Sequence, residues 1–345
     1  MLTLLTDSVM VHPVHRKMTA RLLRQIASKQ FPPAEEVRLS TARYTERSWY
    51  ERELRQLFRK RPLVVAHSSE VPAVGSCLTV DEAGIGAILV RAKDGRVRAF
   101  LNACRHRGTR LVDKRKCHLT GVVCPYHKWS YDLTGQLTGL PHRKSFSSLE
   151  AARRRLVELP VAERHGLIWL LADPHATLAL DAYLGNIDEE LSALGLGEHV
   201  LYQQFESEHA ANWKLVVDAF LEAYHIRGLH KDTLARFFCD SQTAVDQVGP
   251  HLRAVTGRRR IVEGLDLPAE LWPVREMVTP SYVIFPNTVL IAHPDFISVV
   301  TLFPLAPGKL KWVHRMLIPT APADDAAKRH WERSAQLIEK TVFQD

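Results

Sequence analysis

The chain has 345 residues, too many for one ordinary hydrophobic core, so two domains are expected, one of them inserted in the other. Its 46% hydrophobic and 24% charged residues are those of a globular protein, and no apolar run approaches the ~18 residues of a membrane-spanning helix. The net charge of +8, from 46 basic and 38 acidic residues, is spread along the chain, which argues against a nucleic-acid surface and against a membrane partner.

The apolar start from Met1 to Leu5 is interrupted by Asp7 and His12 before a signal-peptide core can form, so a cytoplasmic location is expected. The triplets Arg153-Arg154-Arg155 and Arg258-Arg259-Arg260 read as solvated surface, with a docking face for an acidic electron carrier as the alternative. Five cysteines, Cys77, Cys104, Cys117, Cys124 and Cys239, are an odd number. In that setting no structural disulfide is expected, and metal ligation becomes the question for any clustered pair.

In chain order, Thr19 to Lys29 and Tyr44 to Lys60 have helical texture, with Tyr50, Leu54, Leu57 and Phe58 on one face and Pro62 as the stop. From Leu63 the pattern becomes short apolar runs between turn residues. Leu63–His67, Ile85–Arg91, Val97–Asn102, Val122–Cys124, Trp129–Leu133 and Leu167–Ala172 are predicted strands, with Asp94-Gly95 as a hairpin turn. Leu178–Leu184, Asp188–Leu194 and Asn212–Arg227 are predicted helices. Tyr282–Phe285, Thr288–Ala292, Ile297–Phe303 and Leu310–Ile318 are a second set of strands, and a helix begins at Pro322. The expected organisation is α+β: residues 1–62 a helical part of the larger domain, 63–172 an inserted all-β unit, and 173–345 the rest of the larger domain.

Within the β unit, Cys104-Arg105-His106 is followed, seventeen residues later, by Cys124-Pro125-Tyr126-His127. Two thiolates and two imidazoles can hold one zinc ion, or can be divided between the two irons of a cluster. Gly108 and Gly135 allow loops to close around a bulky group, and Pro125, Tyr126 and Trp129 offer apolar cover. Cys117, beside His118 but lacking a histidine three residues on, reads as a loop or packing cysteine, and Cys77 and Cys239 as ordinary buried thiols.

A second constellation runs from Asn212-Trp213-Lys214-Leu215 to Glu222-Ala223-Tyr224-His225-Ile226-Arg227-Gly228-Leu229-His230. On a helix Glu222 and His225 share a face, and Gly228 is expected to end that helix so that His230 turns back toward His225. Two histidines are two thirds of the facial triad that holds ferrous iron and leaves positions open. Helix ends also carry histidine for dipole reasons alone, so the pair by itself is a weak signal.

The segment Asn102-Ala103-Cys104-Arg105-His106-Arg107-Gly108, taken with Cys124-Pro125-Tyr126-His127-Lys128-Trp129, resembles the Rieske motif of ring-hydroxylating oxygenase α subunits. The catalytic-helix segment resembles the same family. One departure is Lys128, where family members usually carry glycine; a second is Glu222, where many carry aspartate. The resemblance implies an all-β Rieske domain inserted in a helix-grip catalytic domain, an antiparallel sheet holding a long helix. It implies a [2Fe-2S] cluster on Cys104, His106, Cys124 and His127, and a mononuclear Fe(II) on His225, His230 and Asp345. The carboxylate match is the acidic end of Gln344-Asp345, with Asp295, Asp324 and Asp325 as fallbacks. Trp331, Ser334, Ile338, Thr341 and Asp345 fall on one helical stripe, which is consistent with an inward Asp345.

It further implies a homotrimer in which Glu222 links His225 to a neighbour's His127, with Asp218 a weaker substitute and Asn212 near the iron. The implied activity is that of a terminal oxygenase acting with O2 on a small organic substrate, by hydroxylation or oxidative demethylation. Electrons would come from a ferredoxin, an NAD(P)H-dependent flavin reductase, or both, because no Gly-x-Gly-x-x-Gly follows a strand here. The rivals are a cis-dihydroxylating dioxygenase α subunit, an electron-transfer Rieske protein and a zinc-stabilised binding module. Should the substrate be a cation, Phe205, Tyr224, Phe237, Phe238, Phe285 and Phe296 are the available cage residues.

Overall fold

A computed structural model describes residues 12–29, 36–146 and 148–342. The chain divides into two compact units, Met1–Glu51 with Leu184–Asp345, and Arg52–Tyr183 between them in sequence. Among the described residues no helix is long and apolar enough to cross a membrane.

The unit Arg52–Tyr183 is built on small antiparallel sheets. One has five strands in the order Lys116–His118, Ser76–Val80, Ala87–Arg91, Val97–Leu101 and Glu158–Leu159. A second pairs Leu63–His67 with Leu167–Leu170 and Val161–Arg164, and a third joins Val122–Val123, Ser130–Tyr131 and Leu137–Gly139. Leu63–His67 and Leu167–Leu170 are buried along their whole length, which is why they read as continuous apolar runs rather than alternating ones. The Asp94-Gly95 turn is present: Gly95 has φ +80° and closes back on the Ala92 carbonyl at 3.0 Å, as the hairpin requires.

The disulfide expectation is overturned. Cys77 and Cys117 stand opposite each other on neighbouring strands, 5.0 Å apart at Cα, and are joined as a disulfide. Neither is the ordinary thiol or loop cysteine that the spacing predicted. Strand Lys116–His118 is only three residues long and mostly polar, so it escaped notice, and with it the register that faces the two cysteines. The bridge lies in the same buried cluster as Cys104, Cys124, Trp129 and Tyr131.

The second unit is an antiparallel seven-stranded sheet in the order Val200–His209, Lys309–Ile318, Ile297–Ala306, Thr288–Ala292, Val278–Ile284, His251–Arg258 and Phe238–Val248. Three strands were not predicted: His251–Arg258 inside the sheet, and the two edge strands, which are polar and half-exposed, as unpaired edges tend to be. Helix Pro13–Ser28 lays Met18, Leu22 and Leu23 against Ala244, Val255 and Val278. Helix Asp325–Val342 starts three residues later than Pro322 and packs Trp331, Ala335 and Ile338 on Phe296, Met316 and Ile318. The Phe220 ring, at the end of helix Trp213–Phe220, packs 5.6 Å from Trp312. Trp312, Met316 and Ile318 alternate along one strand, so these last two helices lie over the same sheet face. Following the register across the sheet puts Val255 on the opposite face, where Pro13–Ser28 packs. The sheet thus holds the long helix Asp325–Val342 on one face, the helix-grip arrangement, and helix Pro13–Ser28 on the other.

The disulfide spans a sequence separation of 40, for which chain-entropy arguments assign about 3–4 kcal/mol. Denatured protein is therefore expected to show three free thiols before reduction and five after. Cys77→Ser is expected to lower the melting temperature by an amount matching that loss; equal melting of variant and wild type would show that the bridge does not stabilise the fold.

Candidate metal centres

The first centre is made by two loops. Asn102, buried at the end of strand Val97–Leu101, accepts the Leu111 and Val112 N–H groups at 3.0 Å each and donates to the Val112 carbonyl at 2.7 Å. Its amide thereby closes the loop that carries Cys104 and His106. The Cys104 N–H donates to the Thr109 carbonyl at 2.8 Å, and the Cys124 N–H to the Trp129 carbonyl at 2.8 Å. These bonds turn both cysteines inward, to 3% and 1% exposure.

The imidazoles of His106 and His127 meet with ring centroids 4.7 Å apart. Trp129 stacks flat on His106 at 4.8 Å, Phe146 stands edge-on to both of those rings, and Tyr126 covers His127 at 3.9 Å. The Nδ1 atoms of His106 and His127 are buried without a hydrogen-bond partner among the described residues. An orphaned buried nitrogen is costly unless something else binds it. Burial raises the Cys124 thiol, but the His127 and Tyr126 N–H groups, Cys104 and the Lys128 charge outweigh it and bring the pKa below normal, favouring the thiolate that metals require. Burial, then His127, Arg107 and Arg154, lowers the pKa of His106 and favours the neutral imidazole that a metal would need. The Tyr131 hydroxyl lies 3.4 Å from Cys104 Sγ and accepts the Arg105 N–H at 3.2 Å.

Among the described residues no three His, Cys, Asp or Glu side chains converge on a single ion. Two buried thiols beside two imidazoles are the donor set that a two-iron cluster divides between its irons.

In the second centre the expected helix over Asn212–Arg227 is broken. It runs from Trp213 to Phe220 and stops, because the Glu222 carboxylate takes the N–H groups of Tyr224 and His225 (3.1 Å for His225) that a helix would direct to its own carbonyls. The same carboxylate bonds Nδ1 of His225. Glu222 and His225 thus meet through a capping turn, not through a shared helical face. That contact orients the ring and leaves Nε2 as the nitrogen available to a metal.

Gly228 does not end a helix; it lies inside the short turn Ile226–Leu229, with His225 at one end and His230 at the other. Bringing the chain round that single turn sets the two imidazoles 5.2 Å apart at 78°. His230 is 1% exposed. Asn212 caps the helix by accepting the Lys214 N–H at 3.0 Å, and its amide nitrogen donates to the Tyr44 and Pro307 carbonyls at 2.9 and 2.6 Å. Its side chain is committed to structure. Asp218 accepts from the Tyr44 hydroxyl at 3.3 Å, and burial raises its pKa.

Asp345 lies outside the described residues. Of the fallbacks, Asp295 is paired with His330 at 2.6 Å, Asp324 accepts the Ala327 N–H at 2.7 Å, and Asp325 opens the last helix. The six aromatic cage candidates are dispersed. Phe205 stacks on His314, Phe296 on His293, and Phe285 approaches Trp213; Phe237 and Phe238 face Arg258, and Tyr224 is 82% exposed. A cleft of about 640 Å³ lies beside the histidine turn, lined by Ile226, Arg227, Phe238, Cys239, Asp240 and Arg259 among others.

Sequence reasoning missed one polar group. The Ser298 hydroxyl lies 3.1 Å from His293 Nε2 and 2.9 Å from His314 Nε2, on the sheet face shared by Trp312 and Met316. Burial first, then His314, Arg258 and Arg275 for His293 and Arg315 for His314, takes both imidazoles down to about 3 and favours their neutral forms. Scattered single histidines in apolar strands offered no local signal for it.

Residues 61–157 match the family profile "Rieske [2Fe-2S] domain", and residues 196–345 match "Ring hydroxylating alpha subunit (catalytic domain)". The chain is 32% identical over 188 residues to the carnitine monooxygenase oxygenase subunit of Escherichia coli K12, covering 54% of this chain and 50% of that protein. It is 31% identical over 193 residues to the glycine betaine monooxygenase oxygenase subunit of Pseudomonas aeruginosa, covering 55% and 44%. The chain thus spans about half the length of the curated relatives it matches. An Alcaligenes 2-aminobenzenesulfonate 2,3-dioxygenase α subunit is 26% identical over 282 residues, covering 77% and 70%. The crystal structure of the quaternary ammonium Rieske monooxygenase CntA with L-carnitine shares the fold, with a TM-score of 0.75 at 22% identity over 87% of this chain and 81% of that one. Naphthalene 1,2-dioxygenase from Rhodococcus sp. shares it at 0.69 and 23%, over 93% and 80%. The two domain profiles are those of a [2Fe-2S] domain and a mononuclear-iron domain, in the order and fold seen here. This chain belongs to the Rieske-type non-haem iron ring-hydroxylating oxygenase family, as an α subunit.

Proposed function

We propose that the protein is the terminal oxygenase of a Rieske non-haem iron system, inserting oxygen from O2 into a small organic substrate by hydroxylation or oxidative demethylation. The observation that carries this reading is the buried thiol pair beside two imidazoles with orphaned Nδ1 atoms, in one chain with a histidine pair oriented by a carboxylate. Cys104 and Cys124 hold one iron of the [2Fe-2S] cluster and His106 and His127 the other. His225, His230 and Asp345 hold the mononuclear iron. When bound, the cluster supplies single electrons and the mononuclear iron supplies the open positions for oxygen chemistry.

The chain's own residues do the rest. Asn102 closes the first cluster loop, while Trp129, Phe146 and Tyr126 shield the histidines from water. Glu222 holds the proton on His225 Nδ1 and, in a homotrimer, links that histidine to His127 of the partner subunit. Inter-subunit electron transfer in one solved relative, a quaternary ammonium Rieske monooxygenase, supports that arrangement. A separate ferredoxin, an NAD(P)H-dependent flavin reductase, or both, deliver the electrons. The carnitine and glycine betaine monooxygenases among the relatives support oxidative demethylation. The 2-aminobenzenesulfonate dioxygenase, matched over more of its length, supports ring dihydroxylation as the second reading.

Iron-loaded protein is expected to contain about three irons and two acid-labile sulfides per chain. Two irons alone would identify an electron carrier, and zinc without sulfide a binding module. His225→Ala should abolish substrate-coupled oxygen uptake while leaving the cluster's visible spectrum intact; retained turnover would end the oxygenase assignment. Glu222→Gln should keep both metals and KM but lower kcat by roughly 10- to 100-fold. Wild-type kcat in that variant would remove Glu222 from the pathway.

A further inference from the structure

The two cluster loops are built alike, and comparing them isolates one residue. In each, the cysteine N–H bonds the carbonyl five residues on, and the residue four on returns its N–H to the cysteine carbonyl. The return bonds are Gly108 to Cys104 at 2.9 Å and Lys128 to Cys124 at 3.0 Å. That residue is left-handed in both loops, with φ +73° at Gly108 and +59° at Lys128. Glycine adopts this conformation freely, whereas a residue with a side chain pays about 1–2 kcal/mol. Lysine therefore occupies, at a steric cost, the place that the first loop gives to glycine.

An exposed lysine is usually no more than solvated surface. This one is tethered: Nζ donates to the Pro125 carbonyl at 3.2 Å, which keeps the ammonium on the loop that carries Cys124 and His127. Among the described residues no carboxylate pairs with Lys128, and none pairs with Arg107 or Arg154, whose charges act on His106. Acids in the flanking sequence are engaged elsewhere. Glu150 pairs with Arg153 at 2.6 Å, Glu158 with Arg98 at 3.3 Å and Arg155 at 3.8 Å, and Asp132 accepts the Thr134 and Gln136 N–H groups at 2.8 and 3.0 Å. The centre is thus flanked by uncompensated positive charge, that of Lys128 acting on Cys124 and those of Arg107 and Arg154 on His106.

Two ferric ions, two sulfides, two thiolates and two neutral imidazoles sum to zero charge. One added electron makes a ferric ion ferrous and leaves one net negative charge. We propose that Lys128 is a potential-setting residue, its tethered charge, reinforced by Arg107 and Arg154, stabilising the reduced cluster and making it the stronger electron acceptor. The inference rests on the reading that Cys104, His106, Cys124 and His127 hold the cluster.

The test is a mediated redox titration of the holoenzyme, followed by visible and electron paramagnetic resonance spectra, at low and high salt. Lys128→Gly and Lys128→Gln should shift the midpoint negative together, changing the reduced-to-oxidised ratio at a fixed potential by roughly two- to fivefold. Lys128→Arg should stay at the wild-type value, and the differences should shrink in high salt. Lys128→Gly relieves the strained backbone, so a folding defect does not obscure the result. Wild-type midpoints in the Gly and Gln variants overturn the proposal. If they come with a weakened salt dependence of reduction by the donor protein, the lysine is a docking residue instead. Wild-type protein without a cluster spectrum overturns the ligand reading itself, a result separate from any effect of Lys128.

Discussion

Two histidine nitrogens with no hydrogen-bond partner among the described residues are the constraint around which the smaller unit is organised. Burying a polar atom unpaired costs of order 1–3 kcal/mol, and here two such atoms are enclosed by Trp129, Phe146 and Tyr126. The chain accepts that penalty only because it has also closed two matching loops, each locked by a cysteine N–H and by Asn102 or strand contacts, so that the ligands cannot turn outward to water. A metal group bonded to both nitrogens and to the two buried thiols would remove that cost. The Cys77–Cys117 bridge, in the same core, ties the strand Lys116–His118 to its neighbour just ahead of the second loop.

The larger unit solves a different problem, placing two imidazoles side by side with few residues between them. A regular helix would send His225 and His230 in divergent directions. Glu222 prevents that by diverting two backbone N–H groups to its own carboxylate, and the same carboxylate fixes one ring. Ending the helix and orienting the imidazole are one event. Beneath them, the sheet offers a face on which Phe220 meets Trp312 and the last helix meets Met316, with the neutral His293–Ser298–His314 row on the same side.

The candidate metal ligands could be named because thiolate and imidazole chemistry is written locally: Cys-x-His and Cys-x-x-His need no knowledge of distant contacts. The central strands Thr288–Ala292, Ile297–Ala306 and Lys309–Ile318 were legible for a similar reason, since burial on both faces leaves long apolar runs. The edge strands Val200–His209 and Phe238–Val248 were not, because their exposed residues are as polar as those of a loop. The break before Glu222 was hidden as well, since helix propensity carries no term for a carboxylate that competes for backbone N–H groups.

By itself, then, the order of residues determined the family, the α+β class, the four cluster-ligand candidates and the two histidines of the second centre, since each depends on residue types at short spacing. Tertiary structure alone decided that Cys77 faces Cys117, that Asn102 closes the first loop, that Glu222 reaches His225 through a turn, and that Lys128 is held over its own loop. Those outcomes depend on strand register and on which backbone groups are left to bond, and both are settled only when distant segments pack.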